Sequence, residues 1–410
     1  MLFAKLRIFL AILVAILVIV IVFPFVLNMV GFAVPQFAFV GGASSGGVME
    51  SGIWRSVDGG ESWKEIRFQA KGEPMQLSIQ TIFFHPSSSA VIFMGTNGSG
   101  LWKSESSGAS WKRISDRANI LQSDSDVRGV AVSLLNPAVI YLAVYQNGQG
   151  VVLKSVNNGL DFVEIYHLNG GGVPIVGLYI FPESSNRLLI ATANGGLLKT
   201  NDAGKSWNAI SWDIGAIAAI NVNPLNPNEI IIRKSGGKIA RSLDGGKTWA
   251  DINTNGSGNS APGFYYSGPR VGGIGGNGVN SVTSDGVTGS QSAPFDPGAI
   301  FPFLNNGSND FIMNASETRY FKSGDSLFRS NDGGTKWVSV QTLLPPRAKM
   351  DAISADPNDA ESIFFASSGE LHKSLDGGST WKIIGLPMSG RVQSFWVNPN
   401  NTNIMFAVTH

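Results

Sequence analysis

The sequence predicts an all-β, seven-bladed propeller of four-stranded blades, preceded by one N-terminal transmembrane helix. Three observations predict it. An octapeptide recurs seven times along the chain. Between its copies the same set of short apolar strands returns, punctuated by Pro and Gly. The 410 residues include 50 Gly, only 14% charged residues and no Cys, a composition of strands and turns rather than helices.

The N-terminus comes first. Lys5 and Arg7 precede an uncharged apolar run over 8–27, and no further charge occurs before Glu50. Twenty helical residues span ~30 Å, the thickness of the hydrocarbon layer of a bilayer. Positive charge ahead of the span places residues 1–7 in the cytoplasm and everything after the 28–37 tether outside it. The expected location is therefore the cell membrane, single-pass, with an extracytoplasmic propeller over 38–410. A cleaved signal has a shorter apolar core, ~7–15 residues. Gly31-Phe32-Ala33 nonetheless offers a small-x-small cleavage site, so secretion after cleavage is the alternative. Pro24 kinks or ends the helix near its outer end.

The octapeptides begin at Ser56, Ser104, Ser155, Thr200, Ser242, Ser330 and Ser374, with spacings of 48, 51, 45, 42, 88 and 44. A period in the forties with β-like flanks marks propeller blades, which must stack because one blade cannot bury its own two faces. Within a period, a strand ending near Pro is followed by a second strand. Ile79 to Pro86 and Ala90 to Gly95 are such a pair. A third strand (Gly100 to Ser104) leads into the octapeptide, which turns it into a fourth (Ser110 to Ile114). Four strands, A to D with A innermost, make one blade. The first octapeptide has C and D strands but no A strand, and the chain ends on an A and a B strand. The C-terminal A strand is therefore expected to close the ring. Two B-like segments, one at each terminus, compete to pair beside it.

The spacing of 88 admits an eighth blade without an octapeptide, or an insertion. Residues 253–298 hold twelve Gly and three charged residues without sustained alternation. Only one strand set follows, Pro297 to Phe303, Asp310 to Ala315 and Ser326 to Ser330. An insertion between strand D of blade five and strand A of blade six is the reading adopted.

The octapeptides resemble the Asp-box, or BNR repeat, Ser-x-Asp-x-Gly-x-Thr-Trp. That repeat occurs in sialidases, xyloglucan hydrolases, sortilin-like receptors and photosystem II assembly factors of the Ycf48 type. The third position holds Asp58, Ser106, Asn157, Asp202, Asp244, Asp332 and Asp376, so blades two and three depart from it, and Phe162 replaces Trp in blade three. A short polar side chain there accepts turn N–H groups, Gly supplies positive φ, and Trp packs beneath the turn. The third-position residues are thus expected to be structural. The resemblance implies the fold and leaves the activity open, since unrelated functions share it.

In a propeller the D–A and B–C connections share one face, and the octapeptide hairpins lie on the other. Binding is expected on the first face, which bears the insertion. Polar residues gather there at the starts of A strands: Asp126 and Arg128, Lys349 and Asp351, Arg391 and Gln393, with Gln80 in the equivalent place. They suit recognition of a polar or anionic ligand, or they form ion pairs between adjacent blades. Phe264, Tyr265, Tyr266 and Arg270 add an aromatic cluster within the insertion. A basic residue precedes every octapeptide (Arg55, Lys103, Lys154, Lys199, Arg241, Arg329, Lys373) and is expected to snorkel over neighbouring aromatics.

Near-neutral charge (+1) argues against a nucleic-acid partner. The four His show no metal-ligand spacing, no nucleotide fingerprint has a strand-then-helix context, and no cofactor is expected. No catalytic residue is assigned. The function expected is a membrane-anchored, non-catalytic binding or assembly module for a protein or glycan partner. The alternative is an exported glycoside hydrolase, for which two positioned carboxylates such as Asp126 and Asp351 are needed.

Overall fold

The computed structural model describes residues 52–70, 73–169, 171–223, 226–236, 238–252, 264–265, 311–313, 318–323, 326–331, 337–344, 348–356, 358–388 and 391–409. The apolar run 8–27, the tether, Asp332, and Tyr266 and Arg270 of the insertion lie outside them. Among the described residues no helix is long and apolar enough to cross a membrane.

The described strands form seven blade sheets, all antiparallel. Blade 2 has A to D at Ser78–Phe84, Ile92–Asn97, Leu101–Ser104 and Lys112–Arg113. Blade 3 uses Asp126–Val132, Ile140–Gln146, Gln149–Ser155 and Val163–His167. Blade 4 uses Ile175–Ile180, Leu188–Thr192, Leu197–Thr200 and Asn208–Ser211. Blade 5 uses Ile217–Val222, Ile230–Lys234, Ile239–Ser242 and Ala250–Ile252. Blade 7 uses Ala352–Asp356, Asp359–Ser367, Glu370–Ser374 and Lys382–Gly385.

Blade 1 closes the ring. Its C and D strands, Ile53–Ser56 and Lys64–Ile66, pair with the chain's last two strands, Val392–Val397 and Met405–Thr409. The competition between the two B-like termini is settled here: Met405–Thr409 is hydrogen-bonded to Ile53–Ser56 through four residue pairs. The A strands are innermost, each touching the A strand of the next blade from blade 2 to 5 and from blade 6 through 7 to 1.

Blade 6 corrects the sequence reading. Its strands are Phe311–Met313, Arg319–Ser323, Ser326–Ser330 and Val338–Val340. The segment expected as B is thus A, and Arg319–Ser323, which the pattern missed, is B. Two apolar runs in succession (Pro297 to Phe303, then Asp310 to Ala315) look alike in sequence, and only pairing chooses between them. A hairpin, Phe68–Ala70 with Glu73–Met75, also occupies the connection from blade 1 to blade 2.

Hydrophobic clusters sit between neighbouring blades. Phe83, Phe93 and Leu101 of blade 2 pack against Val127, Val130 and Leu142 of blade 3, for example. Both faces of an inner strand are covered, which is why Ile140 to Val144 are buried without alternation.

The octapeptide turns are held by their own side chains. The first-position hydroxyl accepts the fifth-position amide at 2.8–3.0 Å in all six described turns, as at Gly60 to Ser56 and Gly204 to Thr200. The third-position side chain accepts the seventh-position amide at 2.8–3.0 Å. Ser106 and Asn157 do this as well as the aspartates. In blade 3 the charge has moved: Asn157 Nδ2 donates to Asp161 Oδ2 at 2.9 Å. The fifth-position glycines all sit at φ of +83° to +96°, where a side chain is strained. The fourth-position amide donates to the A–B connection of its own blade, as Gly59 does to Asn403 O (3.0 Å) and Gly245 to Asn228 O (2.8 Å). These bonds hold the Asp58, Asp202 and Asp376 carboxyls down at about 2, the seventh-position hydroxyl being the largest cause in each.

Candidate functional site

The innermost strands share an irregularity at their starts. In blades 2, 3, 4, 5 and 1 the A–B pairing skips one residue at the same level: Gln80, Arg128, Val176, Ala218 and Gln393. Such bulges turn a side chain away from its ladder position and are common beside sites. Asp351 stands immediately before the A strand of blade 7, its amide donating to Ala366 O at 2.8 Å. Consecutive blades 7, 1, 2 and 3 thus carry Asp351, Gln393, Gln80 and Arg128 at the starts of their inner strands, and blades 4 and 5 carry the apolar Val176 and Ala218.

The acidic members of this set hold strands together. Asp126 accepts the Gly98 amide of blade 2 at 2.8 Å and Nη2 of Arg128 at 3.4 Å. The Asn97 amide, in the orientation that satisfies it, donates to the same carboxylate at 3.1 Å. Asp351 is ion-paired with Arg391 of blade 1, and its carbonyl accepts Lys322 Nζ of blade 6 at 3.3 Å. Asp351 thus forms an ion pair between adjacent blades, whereas Asp126 pairs with Arg128 on its own strand and reaches blade 2 through amide hydrogen bonds. Asp351 keeps 10% of its side chain exposed, whereas Arg391 keeps 63%.

The cationic and amide members are less occupied. Arg128 Nε is buried with no hydrogen-bond partner, and its guanidinium lies 6.0 Å from the Tyr145 ring centroid. Gln393 and Lys349 are exposed and Gln80 half-buried. Lys349 contributes its carbonyl to Ser367 Oγ (3.0 Å).

Of the aromatic cluster, the backbone of Phe264–Tyr265 is described. Phe264–Tyr265 adds a fifth strand to the outer edge of blade 5, pairing with Asp251 and Ile252. It stands at the far side of the sheet from the innermost strand. This pairing covers an open sheet edge.

The basic series lies on the opposite face and is structural. Lys103, Lys154, Arg329 and Lys373 stand 5.7–5.9 Å from the ring of their cross-strand aromatic partner, and Lys199 stands 4.8 Å from Phe181. Several also reach the next blade's turn, which the sequence did not announce. Arg55 Nε donates to Ser107 O at 2.5 Å, and Lys373 Nζ donates to Gly59 O at 3.1 Å. Arg241 instead pairs with buried Glu229 at 2.7 Å, and Arg319 of blade 6 reaches the same carboxylate at 3.4 Å. Among the described residues no group of three or more His, Asp and Glu is arranged to hold a metal.

No family profile and no curated protein matches the sequence. Solved structures do resemble it in shape. YCF48 bound to D1 peptide is 14% identical, with a TM-score of 0.56 over 84% of this chain and 96% of that one. YCF48 from Cyanidioschyzon merolae is 12% identical, with a TM-score of 0.54 over 84% and 98%. The GH74 xyloglucanase from Xanthomonas campestris is 16% identical, with a TM-score of 0.54 over 87% of this chain. The chain spans about half of that enzyme's length, 52%. At such identities the likeness shows the fold, a seven-bladed β-propeller.

Proposed function

We propose that this chain is an Asp-box propeller acting as a non-catalytic binding or assembly module. It is held at the outer side of a membrane by residues 8–27 and engages a protein or glycan partner at the face where its A strands begin. The observation that carries the reading is the run of bulged residues at one level of the inner strands: Gln393, Gln80 and Arg128 on three consecutive blades. Gln393 is exposed, Gln80 half-buried, and Arg128 keeps 29% of its side chain exposed while paired with Asp126, whereas Asp126 and Asp351, the carboxylates a hydrolase would use, are engaged between strands. The shared turn bonds support the Asp-box assignment. Similarity to YCF48 bound to D1 peptide supports a peptide-binding propeller as one form of the partner.

The test is capture of partners from solubilised membranes by tagged full-length protein. A combined Arg128→Ala, Gln80→Ala, Gln393→Ala variant is expected to capture at least tenfold less, about 1.4 kcal/mol. Asp244→Asn, on the opposite face, is expected to capture normally. Equal capture by the triple variant would place the binding surface elsewhere.

A further inference from the structure

Trp212 is the one Trp among the described residues with a large exposed surface, at 49%. It lies in the connection from strand D of blade 4 to strand A of blade 5, on the face where A strands begin. Its ring rests on the backbone of the B–C turn of blade 4. A Cβ placed on Gly196 would stand 2.8 Å from Trp212 Cε3 and 2.6 Å from Thr192 Oγ1, so only glycine leaves room for the ring. The two connections also meet backbone to backbone: a Cβ on Gly195, at φ +99°, would stand 2.8 Å from Gly215 O. The Cε3–Cζ3 edge of the ring is therefore seated against Gly196, and 49% of the residue stays exposed.

Short polar residues stand in these two connections. Thr192 Oγ1 accepts the Gly196 amide (2.8 Å) and donates to Asn194 Oδ1 (2.6 Å). That bond fixes the Asn194 amide with Nδ2 left as a donor. Asp213, exposed beside the ring, uses its amide on Ser211 Oγ (3.4 Å) and keeps its carboxylate as an acceptor.

We propose that Trp212 is a stacking platform for one pyranose ring of a neutral glycan, with Asn194 and Asp213 hydrogen-bonding its hydroxyls. The proposal rests on the reading that the A-strand face is the binding face, and it names the ligand class. A pyranose presents weakly positive C–H groups on its flat side and hydroxyls around its rim. It calls for an open π face, whose quadrupole is negative, with a donor and an acceptor at the edge. A protein hot spot calls for an aromatic enclosed in a ring of occluding contacts, whereas Ser211, Asp213 and Asn194 leave this one open. The carboxylate disfavours acidic sugars.

The test is calorimetric titration of the full-length protein in detergent with cellohexaose, chitohexaose and maltohexaose. At least one is expected to bind, with Trp212→Ala at least tenfold weaker and Trp212→Phe close to wild type. Circular dichroism of each variant checks the fold. Asp244→Asn, on the opposite face, is expected to leave hexasaccharide binding within twofold, and capture by the combined Arg128→Ala, Gln80→Ala, Gln393→Ala variant is scored separately, which distinguishes failure of the platform from failure of the face. The proposal is overturned if none of the three binds, if Trp212→Ala binds as wild type does, or if Trp212→Ala abolishes capture of a protein partner with no sugar bound.

Discussion

Replacing Asp244 tests whether the turn side chains carry the fold. Four bonds end on this carboxylate: Ser242 Oγ (2.8 Å), the Lys247 amide (3.0 Å), the Thr248 amide (2.9 Å) and Thr248 Oγ1 (2.6 Å). Burial pushes its pKa up, and the bonds together outweigh that and hold it low. In Asp244→Ala the two hydroxyls turn to water at little cost, and the two amides lose an ionised acceptor. Lys247 and Thr248 are exposed, so water partly replaces it. At about 0.5–1 kcal/mol for each such amide the expected loss is about 1–2 kcal/mol. For a chain of this size that lowers the thermal midpoint by a few degrees.

Asp244→Asn discriminates geometry from charge. Asn157 in blade 3 already accepts its turn amide and the Ser155 hydroxyl through Oδ1. Asparagine at 244 is therefore expected to cost less than half of what alanine costs. Urea unfolding of the two variants beside wild type, with partner capture as a second readout, provides the assay. A fully stable Asp244→Ala would refute the reasoning, leaving glycine conformation and docking on the A–B connection to hold the turn. Equal loss in both variants would make charge, rather than the acceptor geometry, the stabilising element.

Further outcomes follow from the same physical picture. Asp58 and Asp376 titrate at about 2 when folded and near ~3.9 when unfolded, so their contribution is present above pH ~4 and lost as pH falls toward 2, visible as a drop in urea midpoint there. His372 is 1% exposed, stacked on Phe365 at 4.2 Å, and burial lowers its pKa despite Glu370 nearby. Its stability contribution is full above ~6.5 and falls as pH drops below that value, and His372→Phe is expected to flatten the wild-type slope in that window. Glu229→Ala, which removes the buried carboxylate shared by Arg241 and Arg319, should destabilise by about 3–5 kcal/mol, while Arg391→Ala at its exposed ion pair should cost under about 1 kcal/mol; equal losses in urea unfolding would count against the burial argument. Protease added to intact spheroplasts should digest the propeller, and full protection would refute an extracytoplasmic location.

The blade architecture was legible because its signals are local. A hydroxyl and a carboxylate bond to amides four residues on, so Ser56, Asp58 and Gly60 announce a turn within eight positions. Ring closure was legible as well, since A and B strands at one end complement C and D strands at the other. Blade 6 was misassigned where two similar apolar runs competed. Strand identity there depends on which partner, Phe321 or another, completes the ladder with Phe311.

The candidate site divides along the same line. Asp126, Arg128, Asp351, Arg391 and Gln393 could be placed at A-strand starts from the repeat alone. That Asp126 is tied to Gly98 and Asp351 to Arg391 required neighbouring blades to be in place. The bulge that displaces Gln80, Arg128 and Gln393 leaves no mark in the sequence, because it is a relation between two strands. That Phe264 and Tyr265 extend blade 5 by a strand was not legible, because the pairing is with Asp251 and Ile252 across the sheet edge. Likewise, Trp212 resembles nine other Trp in sequence, and only its seat on Gly196 distinguishes an exposed ring from a packed one. Hydrogen bonds that close within one turn are determined by adjacent residues. Exposure and pairing between strands and blades are decided by residues from another strand or connection, such as Gly98 for Asp126 and Asp351 for Arg391, which only the folded ring brings together.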